Sequence, residues 1–309
     1  MTTIHDSLYD QLEELVEGRS PHLRLHGEAL HQMVLAHLGG IPADLYGIYV
    51  FFPWRKELLH ILPREEFIEV RTSRNRYRIT PSEQTRLSSM RIGIVGLSVG
   101  SATALTLALE GIGGELRIAD FDVLSLSNTN RLRSPISNIG VNKAVLCARE
   151  LCEINPYLKV VVFPTGLQEA NLEAFLSNSG KLDLLVEECD DLPMKVLSRE
   201  QARQRGIPVI METSDKGMLD VERFDQDSKR PLFHGLMGDI DSRRLRALGP
   251  KDRMQYQLRI VGTRDSVSPR LLAGLFEMGR TTKSWPQLAS AISLVRLIPL
   301  KFMLGVEGI

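Results

Sequence analysis

The spacing of hydrophobic and polar residues changes near residue 90, and this change divides the chain into two parts. Over residues 5–38, apolar side chains recur at every third or fourth position, which predicts helices. Residues 46–63 hold two short runs rich in aromatic and β-branched residues around a polar turn, which predicts a hairpin. Residues 67–80 suggest a further strand leading into a basic segment, and residues 80–89 suggest a short helix.

From Met90 onward, short apolar runs alternate with segments of helical pattern. The apolar runs are RIGIVG, ELRIADFD, KVVVFPTG, LDLLVEECDD and PVIMETS. Strands that alternate with helices of this length predict a parallel sheet covered on both faces, with right-handed crossovers. The predicted fold class is therefore α/β: a Rossmann-like, doubly wound, mostly parallel sheet with an N-terminal α+β appendage and C-terminal helices.

These patterns predict three regions. Residues 1–85 form the N-terminal appendage with its basic segment, and residues 86–225 form the α/β domain. Residues 226–309 form a loop-rich segment and C-terminal helices that pack on the core. The loop-rich segment predicts short helices at most, before two longer helices at 268–279 and 284–304.

Composition excludes several classes of protein. The 309 residues carry 38 basic and 38 acidic side chains, and this balance argues against a broad nucleic-acid-binding surface. Three cysteines without a CxxC pair argue against a disulfide framework and against a structural zinc site. No apolar run approaches the roughly 20 residues that a membrane span needs, and the acidic N terminus is unlike a signal peptide. We therefore expect a cytoplasmic protein that binds neither membranes nor nucleic acid.

A glycine-bearing turn, GIVGLSVGSATA, joins the first strand of the α/β domain to its helix. This position suits a phosphate, because free N–H groups and the helix dipole favour an anion there. The match to G-x-G-x-x-G is imperfect: Gly96 fills the first position, serines at 98 and 101 fill the others, and Gly100 is out of register. A tight turn that binds nothing remains the alternative interpretation.

Asp120 lies 24 residues after Gly96, at the end of the second strand, where a carboxylate can bind a ribose. The position of Asp120 indicates that the turn belongs to a nucleotide site, but it does not distinguish NAD from ATP. Asn128, Asn130, Arg131 and Lys143 then fall near the carboxyl edge of the sheet, where ligands bind in open α/β folds. Arginine and lysine are the side chains that a triphosphate needs.

Asp190 stands at the end of a later strand, where a carboxylate is suited to hold Mg²⁺. A strand-end carboxylate together with Arg131 and Lys143 favours adenylyl or phosphoryl transfer over hydride transfer. A solvated loop of mixed charge is the alternative interpretation of this segment.

From about Arg76 to Asp225, the chain resembles the ThiF/MoeB superfamily, which includes the adenylation domains of ubiquitin-activating enzymes. The shared pattern is RIGIVG, DFDVLSLSNTNR, Lys143 at the start of the next helix, INP, and Asp190 at the end of LLVEECD. The resemblance is closest to the ThiF-like half of bacterial proteins that fuse this domain to a nitroreductase-like domain, which share GLSVG, METSDKGMLDVERFD and SWPQLASA. A fused or separate nitroreductase-like domain is thus one of the expected partners.

The resemblance implies a nucleotide site made of Gly96, Ser98, Gly100, Asp120, Asp122, Asn128, Arg131 and Lys143. In this assignment Asp120 binds the ATP ribose, and Asn128 and Arg131 contact the phosphates. Lys143 stabilises charge on the α-phosphate, and Asp190 binds Mg²⁺.

The resemblance also implies a homodimer in which an N-terminal arginine reaches across to the partner's γ-phosphate. Arg76 fits this role best, with Arg74 and Arg78 as alternatives. A solvated strand edge would explain the same basic segment.

The predicted function is that of an ATP-dependent adenylyltransferase, which activates a carboxylate as an acyl-adenylate and releases pyrophosphate. The acceptor is the C terminus of a ubiquitin-like or sulfur-carrier protein, or a small molecule. An NAD-binding oxidoreductase module and a non-catalytic scaffold serving a partner domain are the alternatives. The chain lacks the cysteine that thioester-forming relatives carry after METS, and Cys189 is expected to be a packing residue. We therefore expect the enzyme to stop at the adenylate or to pass it to a partner's nucleophile.

Four residues carry weaker signals. Asp215, Asp220 and Glu222 either line the acceptor side or form a solvated acidic loop, and His234 is interpreted as loop structure.

Overall fold

The computed structural model describes residues 1–212, 219–261, 268–284 and 286–290. By its internal contacts, the chain consists of two compact units, Met1–Thr85 and Arg86–Ile309. Within the described ranges, no helix is long and apolar enough to cross a lipid bilayer.

The N-terminal unit combines a three-stranded sheet with three helices. Strand β3 lies in the centre of the sheet, parallel to β1 and antiparallel to β2, so the predicted hairpin is confirmed as β2–β3. The apolar positions at three- and four-residue spacing in the first helices form the core of this unit. The elements are β1 (Thr3–Asp6), α1 (Leu8–Arg19), α2 (Gly27–Leu38), β2 (Ile48–Phe52), β3 (Glu57–Ile61) and α3 (Arg64–Thr72).

Residues 67–80 do not form the strand that the sequence suggested, because α3 occupies the first part of this stretch. The helix opens after a proline with Glu65 in its first turn, where a carboxylate complements the helix dipole. Phe67 and Val70, three positions apart, then pack against the core of the unit. The segment is therefore helical, because the helical spacing of these two apolar residues decides its structure although the segment contains β-branched residues.

The second unit is built on a six-stranded sheet in the order β6-β5-β4-β7-β8-β9. The first five strands along this order are parallel, as predicted, and their helices cover both faces. Since parallel strands share one carboxyl edge, the segments that follow β4, β5 and β7 meet there. The elements, beginning with a helix that spans the boundary between the units, are α4 (Pro81–Leu87), β4 (Arg91–Val95), α5 (Gly100–Leu109), β5 (Glu115–Ala119), α6 (Lys143–Ile154), β6 (Lys159–Phe163), α7 (Glu169–Ser177), β7 (Leu184–Glu187), α8 (Leu192–Gln204) and β8 (Val209–Glu212).

The edge strand β9 (Leu219–Glu222) runs antiparallel to β8, and the sequence did not predict it. Its four residues alternate apolar and acidic side chains, which resembles a solvated loop. Both acidic side chains are nevertheless buried: Glu222 forms an ion pair with Arg199, and Asp220 Oδ2 lies 3.2 Å from Nε2 of His234.

Within the described residues, the sheet is followed by the α-helices α9 (Ser242–Ala247), α10 (Pro250–Val261) and α11 (Pro269–Glu277). Helix α11 confirms the helix predicted at 268–279. The 12-residue α10 is longer than the sequence indicated, and Ile260 on it is buried in the cluster that also contains Leu245. The helix predicted at 284–304 lies largely outside the described residues.

A buried layer of charges joins β7, α8 and β9. The Arg199 guanidinium is fully buried and donates hydrogen bonds to Glu187 and Glu222, the latter at 2.5 Å. Lys195, one turn earlier on α8, donates to Glu187 at 2.8 Å. Because each of these carboxylates depends on a cation for compensation, the layer fixes α8 against the carboxyl half of the sheet.

We expect Arg199→Met to lower the free energy of unfolding by about 3–5 kcal/mol, because it leaves Glu187 and Glu222 short of a buried cation. Arg223→Met, which removes the half-exposed pair with Asp225, should cost less than about 1 kcal/mol. Urea unfolding of both variants measures the difference. Equal losses would show that the buried layer contributes no more than a surface ion pair.

Candidate active site

The turn between β4 and α5 requires glycine at two positions. Gly96 has a φ of +85°, and a Cβ atom there would lie 2.4 Å from the carbonyl oxygen of Glu188. A Cβ on Gly100, the first residue of α5, would lie 2.8 Å from Cγ2 of Ile94. Gly100, which the motif placed out of register, therefore provides the close contact between helix and strand that the third glycine of G-x-G-x-x-G usually provides.

Asp120 ties this turn to the segment after β5. Its Oδ2 accepts the backbone N–H of Leu97 at 2.7 Å, and its Oδ1 accepts the backbone N–H of Asp122 at 2.8 Å. Burial raises the pKa of Asp120, while the two backbone donors oppose the shift. The sequence assigned this carboxylate to a ribose alone, but it also holds two backbone segments together. Its remaining lone pairs can still accept hydrogen bonds from a ribose.

Lys143 begins α6 and is almost fully buried. Its Nζ donates to Oδ2 of Asp122 at 2.8 Å and to Oγ of Ser98 at 3.1 Å. Ser98 occupies the position that the motif gives to glycine, so the substitution supplies a hydrogen-bond acceptor for the lysine. Three residues predicted separately from the sequence are thus in contact.

Asn142 is a site residue that the sequence reasoning missed. Its Oδ1 caps α6 by accepting the N–H groups of Ala144 and Val145 at 3.0 and 3.2 Å. Its Nδ2 donates to the carbonyl oxygens of Asp120, Asp122 and Pro164, at 3.1, 3.2 and 3.1 Å. An asparagine directly before a helical pattern is an N-cap signal and identifies this residue in the sequence.

Asn128 and Arg131 lie on the turn that follows β5. Asn128 Oδ1 accepts the N–H of Ser125 at 3.0 Å, so one end of its amide shapes the turn. Arg131 donates through Nη1 to the Ser127 carbonyl at 3.2 Å and to Asn130 Oδ1 at 3.0 Å. Its buried Nε has no acceptor among the described residues.

Burial lowers the pKa of Arg131, and the charge of Asp190 opposes this shift. The two side chains therefore interact electrostatically, although they come from segments after different strands. A buried guanidinium N–H that lacks an acceptor is the arrangement expected where an anionic ligand binds. Arg131 and Lys143 also line one cleft between α5 and α6.

Asp190 lies after β7 and is exposed. Neighbouring protein raises its pKa by desolvation, while Lys195 and Lys143 oppose the shift. Its carboxylate makes no hydrogen bond within the described part of the chain. No group of three or more potential metal ligands occurs there either. Asp190 thus offers the kind of single carboxylate that Mg²⁺ uses together with phosphate oxygens and water.

Glu187 positions the loop that carries Asp190. Its Oε1 accepts the N–H of Cys189 at 2.9 Å, and its Oε2 accepts from Lys195 at 2.8 Å. Burial raises the pKa of the Cys189 thiol well above its ordinary value, and the side chain packs against the core. This environment suits a packing residue and disfavours a thiolate nucleophile.

Arg76 belongs to the N-terminal unit, where its charge acts on Glu69; Arg19 and then Arg76 lower the pKa of that carboxyl. Its assignment to a partner's nucleotide stays a prediction. Asp220 pairs with His234, and Glu222 pairs with Arg199. Asp215 lies outside the described residues.

This geometry agrees with a comparison to known protein families. The ThiF family model matches residues 72–252. The chain belongs to the ThiF family. The predicted resemblance is thereby confirmed at the level of the family, and the fusion to a nitroreductase-like domain stays a prediction.

Several proteins are similar to this chain. "Uncharacterized protein MT1398" of Mycobacterium tuberculosis is 45% identical over 244 residues, covering 79% of this chain and 34% of that protein. The "Sulfur carrier protein adenylyltransferase" of Thermus thermophilus is 25% identical, covering 60% of this chain and 63% of that protein. The crystal structure of Escherichia coli tRNA N6-threonylcarbamoyladenosine dehydratase with ATP superposes with a TM-score of 0.52 at 18% identity, covering 77% of this chain and 93% of that one.

The chain therefore spans about a third of the length of the M. tuberculosis protein and under two thirds of the T. thermophilus protein. The likeness to the dehydratase structure confirms the ThiF-like α/β fold of the second unit.

The half-buried Glu188 and the buried Glu212 lie behind the glycine turn. Glu188 Oε1 accepts the backbone N–H of Glu212 at 2.8 Å, and Oε1 of Glu212 is buried without a partner in the described structure. Burial raises the pKa of Glu188 to about 8 and that of Glu212 to about 7. The folded protein therefore holds a proton on each of these side chains to a higher pH than an ordinary glutamate does.

We expect Gly96→Ala to lower the free energy of unfolding by at least about 2 kcal/mol more than Gly140→Ala. Both glycines have positive φ, but a Cβ on Gly140 meets nothing within 4 Å, whereas one on Gly96 meets the backbone of Glu188. Chemical denaturation of the two variants compares them. Losses of equal size would mean that backbone strain, and not the close approach, explains the glycine.

We also expect stability to fall between pH 5 and pH 8, and the fall to be smaller in Glu212→Gln. The folded protein holds the Glu212 proton up to about pH 7, above the ordinary glutamate value, so the stabilisation is complete at low pH and is lost as pH rises. The variant should remove roughly 1–3 kcal/mol of this pH dependence. Exposed Glu173→Gln is the control, and an unchanged slope in Glu212→Gln would contradict the prediction.

Proposed function

We propose that this chain is an ATP-dependent adenylyltransferase that activates the C-terminal carboxylate of a ubiquitin-like or sulfur-carrier protein. The proposal rests mainly on the buried Nε of Arg131, which has no acceptor in the described part of the chain and faces the same site as Lys143 and Asp190. The ThiF family includes adenylyltransferases, and the T. thermophilus relative is one by its name. A small carboxylate is the second candidate acceptor.

The residues of the glycine turn and the two strand ends fit a bound ATP molecule. Gly96 allows close backbone approach at the helix N terminus, and Asp120 has lone pairs left for the ribose hydroxyls. Arg131 and the Nδ2 group of Asn128 would bind phosphate oxygens. The Asn128 amide oxygen, already engaged by Ser125, orients that Nδ2 group.

Lys143 would stabilise the charge that develops on the α-phosphate. In the structure its ammonium contacts Asp122, whose carboxylate is 52% exposed, and it can exchange this partner for a phosphate oxygen by a small movement. A substrate carboxylate oxygen attacks the α-phosphorus while the bond to pyrophosphate breaks. The carboxylate is already ionised, so the protein supplies position and charge and no general base.

Asp190 would hold Mg²⁺, which neutralises phosphate charge when it is bound. Glu187 and Lys195 keep its loop in place, as described above. An arginine from a second copy of the chain, Arg76 in the preferred assignment, completes the proposed site in a homodimer. A cytoplasmic location and a nitroreductase-like partner are parts of the same proposal.

An oxidoreductase module is the weaker reading of this site, because hydride transfer gives no role to Arg131, Lys143 and Asp190 together. A non-catalytic scaffold would bind nucleotide without consuming it. A preference for ATP over NAD⁺ distinguishes an adenylyltransferase from an oxidoreductase module. Release of pyrophosphate in the presence of a carrier protein distinguishes it from a scaffold.

ATP with Mg²⁺ should raise the melting temperature of the wild type, by an amount that corresponds to about 2.7 kcal/mol at 100 times the Kd. NAD⁺ and NADH should not. Asp190→Asn should weaken this binding at least about tenfold, because it removes the only charge that the carboxylate offers to the metal. Asp191→Asn, the same change at the next residue, is the matched control. Stabilisation by NAD⁺ alone, or equal binding by both variants, would contradict the proposal.

A further inference from the structure

His234 and Asp220 form a pair that the proposed adenylation step does not use. His234 Nε2 lies 3.2 Å from Asp220 Oδ2. The Asp220 side chain is 9% exposed, while the His234 ring is 44% exposed. Asp220 Oδ1 is buried and has no hydrogen-bond partner among the residues that the structure describes. A buried carboxylate thus orients an imidazole that solvent or a reactant can reach.

The pair lies at the same edge of the sheet as the nucleotide site. Asp220 on β9 faces Met211 on β8, and the register of β8 against β7 puts Met211 level with Glu187. Adjacent strands are about 4.8 Å apart, so Asp220 lies roughly 10 Å from Glu187 across the sheet. Asp190 follows Glu187 by three residues. The pair therefore flanks the proposed site on the side away from the glycine turn.

The backbone holds His234 in a strained conformation. Phe233 and His234 have φ values of 48° and 54°, in the left-handed region that non-glycine residues rarely adopt. Phe233 N–H donates to Oε1 of Glu222 at 2.6 Å, and its buried ring lies 4.1 Å from the Arg199 guanidinium. The charged layer that fixes α8 to the sheet therefore also fixes the histidine.

The charged layer between β7, α8 and β9 gains a third carboxylate from Asp220. Its carboxylates are those of Glu187, Asp220 and Glu222, and its cations are those of Lys195 and Arg199. Asp220 contacts the imidazole at 3.2 Å, so its carboxylate can stabilise the positive charge that a general base acquires when it takes up a proton.

We propose that His234, oriented by Asp220, is the general base that transfers the activated acyl group from the adenylate to an amine. The proposal rests on the adenylyltransferase function above and adds a second step. An exposed imidazole beside a carboxylate suits an incoming amine, which must lose a proton before its nitrogen can attack.

The transfer step forms a C–N bond and releases AMP. His234 takes one proton from the ammonium group, which frees the nitrogen lone pair. The nitrogen attacks the acyl carbonyl carbon, and a C–N bond forms. The C–O bond to the phosphate breaks, AMP leaves with that electron pair, and the second N–H proton passes to water. The products are an amide, AMP and two protons.

The test uses two nucleophiles that differ in their need for a base. L-lysine carries ammonium groups at neutral pH and needs deprotonation, whereas hydroxylamine is largely neutral and attacks acyl-adenylates unaided. The wild type, His234→Gln and Asp220→Asn are incubated with ATP, Mg²⁺ and a ubiquitin-fold sulfur-carrier protein. Pyrophosphate exchange measures adenylation, and AMP formation measures transfer. Exposed His22→Gln is the matched control.

His234→Gln should reduce AMP formation with lysine by at least about 100-fold and change the rate with hydroxylamine by less than roughly threefold. Asp220→Asn should shift the lysine reaction in the same direction. Pyrophosphate exchange should be retained in both variants, which shows that they fold and bind ATP. An equal loss with both nucleophiles, or no loss with lysine, would overturn the base assignment alone. Absence of exchange in the wild type would overturn the adenylyltransferase proposal and this inference with it.

Discussion

The candidate active site depends on the two hydrogen bonds that the Asp120 carboxylate accepts from the backbone of Leu97 and Asp122. They join the glycine turn to the segment after β5, and Asn142 adds three more hydrogen bonds from the other side of that segment. The contact of Lys143 with Ser98 and Asp122 exists only while both segments keep these positions. A single buried carboxylate thus determines where the phosphate-binding groups lie.

The departures of the glycine motif from its usual form have a local physical reason. A glycine at residue 98 would leave the Lys143 ammonium one acceptor short, in a place where the side chain is 6% exposed. A serine there keeps the turn small and supplies that acceptor. In the usual motif, a glycine at residue 101 would allow the helix to approach the strand closely. Here Gly100 allows that approach, because α5 begins at Gly100. The motif is therefore shifted and adapted in its details, while the turn retains the features that suit a phosphate.

The parallel sheet could be predicted because the periodicity of apolar residues is a local pattern. The placement of Arg131, Lys143 and Asp190 at one edge could be predicted because parallel strands share one direction. Features that depend on distant partners could not be predicted. Strand β9 resembled a polar loop, since its acidic residues are buried only through Arg199 and His234. The sequence of helix α3 resembled a strand because the helix is stabilised by packing of its apolar residues against the core of the N-terminal unit, which the local pattern does not show. The roles of Ser98 and Asn142 are likewise set by atoms far away in sequence.

The balance of charge explains why the proposed function includes a metal ion and a second arginine. Arg131, Arg133 and Lys143 line the cleft on the nucleotide side. Four carboxylates act on the same space, those of Asp120, Asp122, Glu150 and Asp190. The described part of this side is thus close to neutral, and a triphosphate would add several negative charges at short range. Further positive charge is needed for tight binding. Mg²⁺ at Asp190 and an arginine from a second copy would supply it, whereas a dinucleotide, with its smaller charge, would need neither.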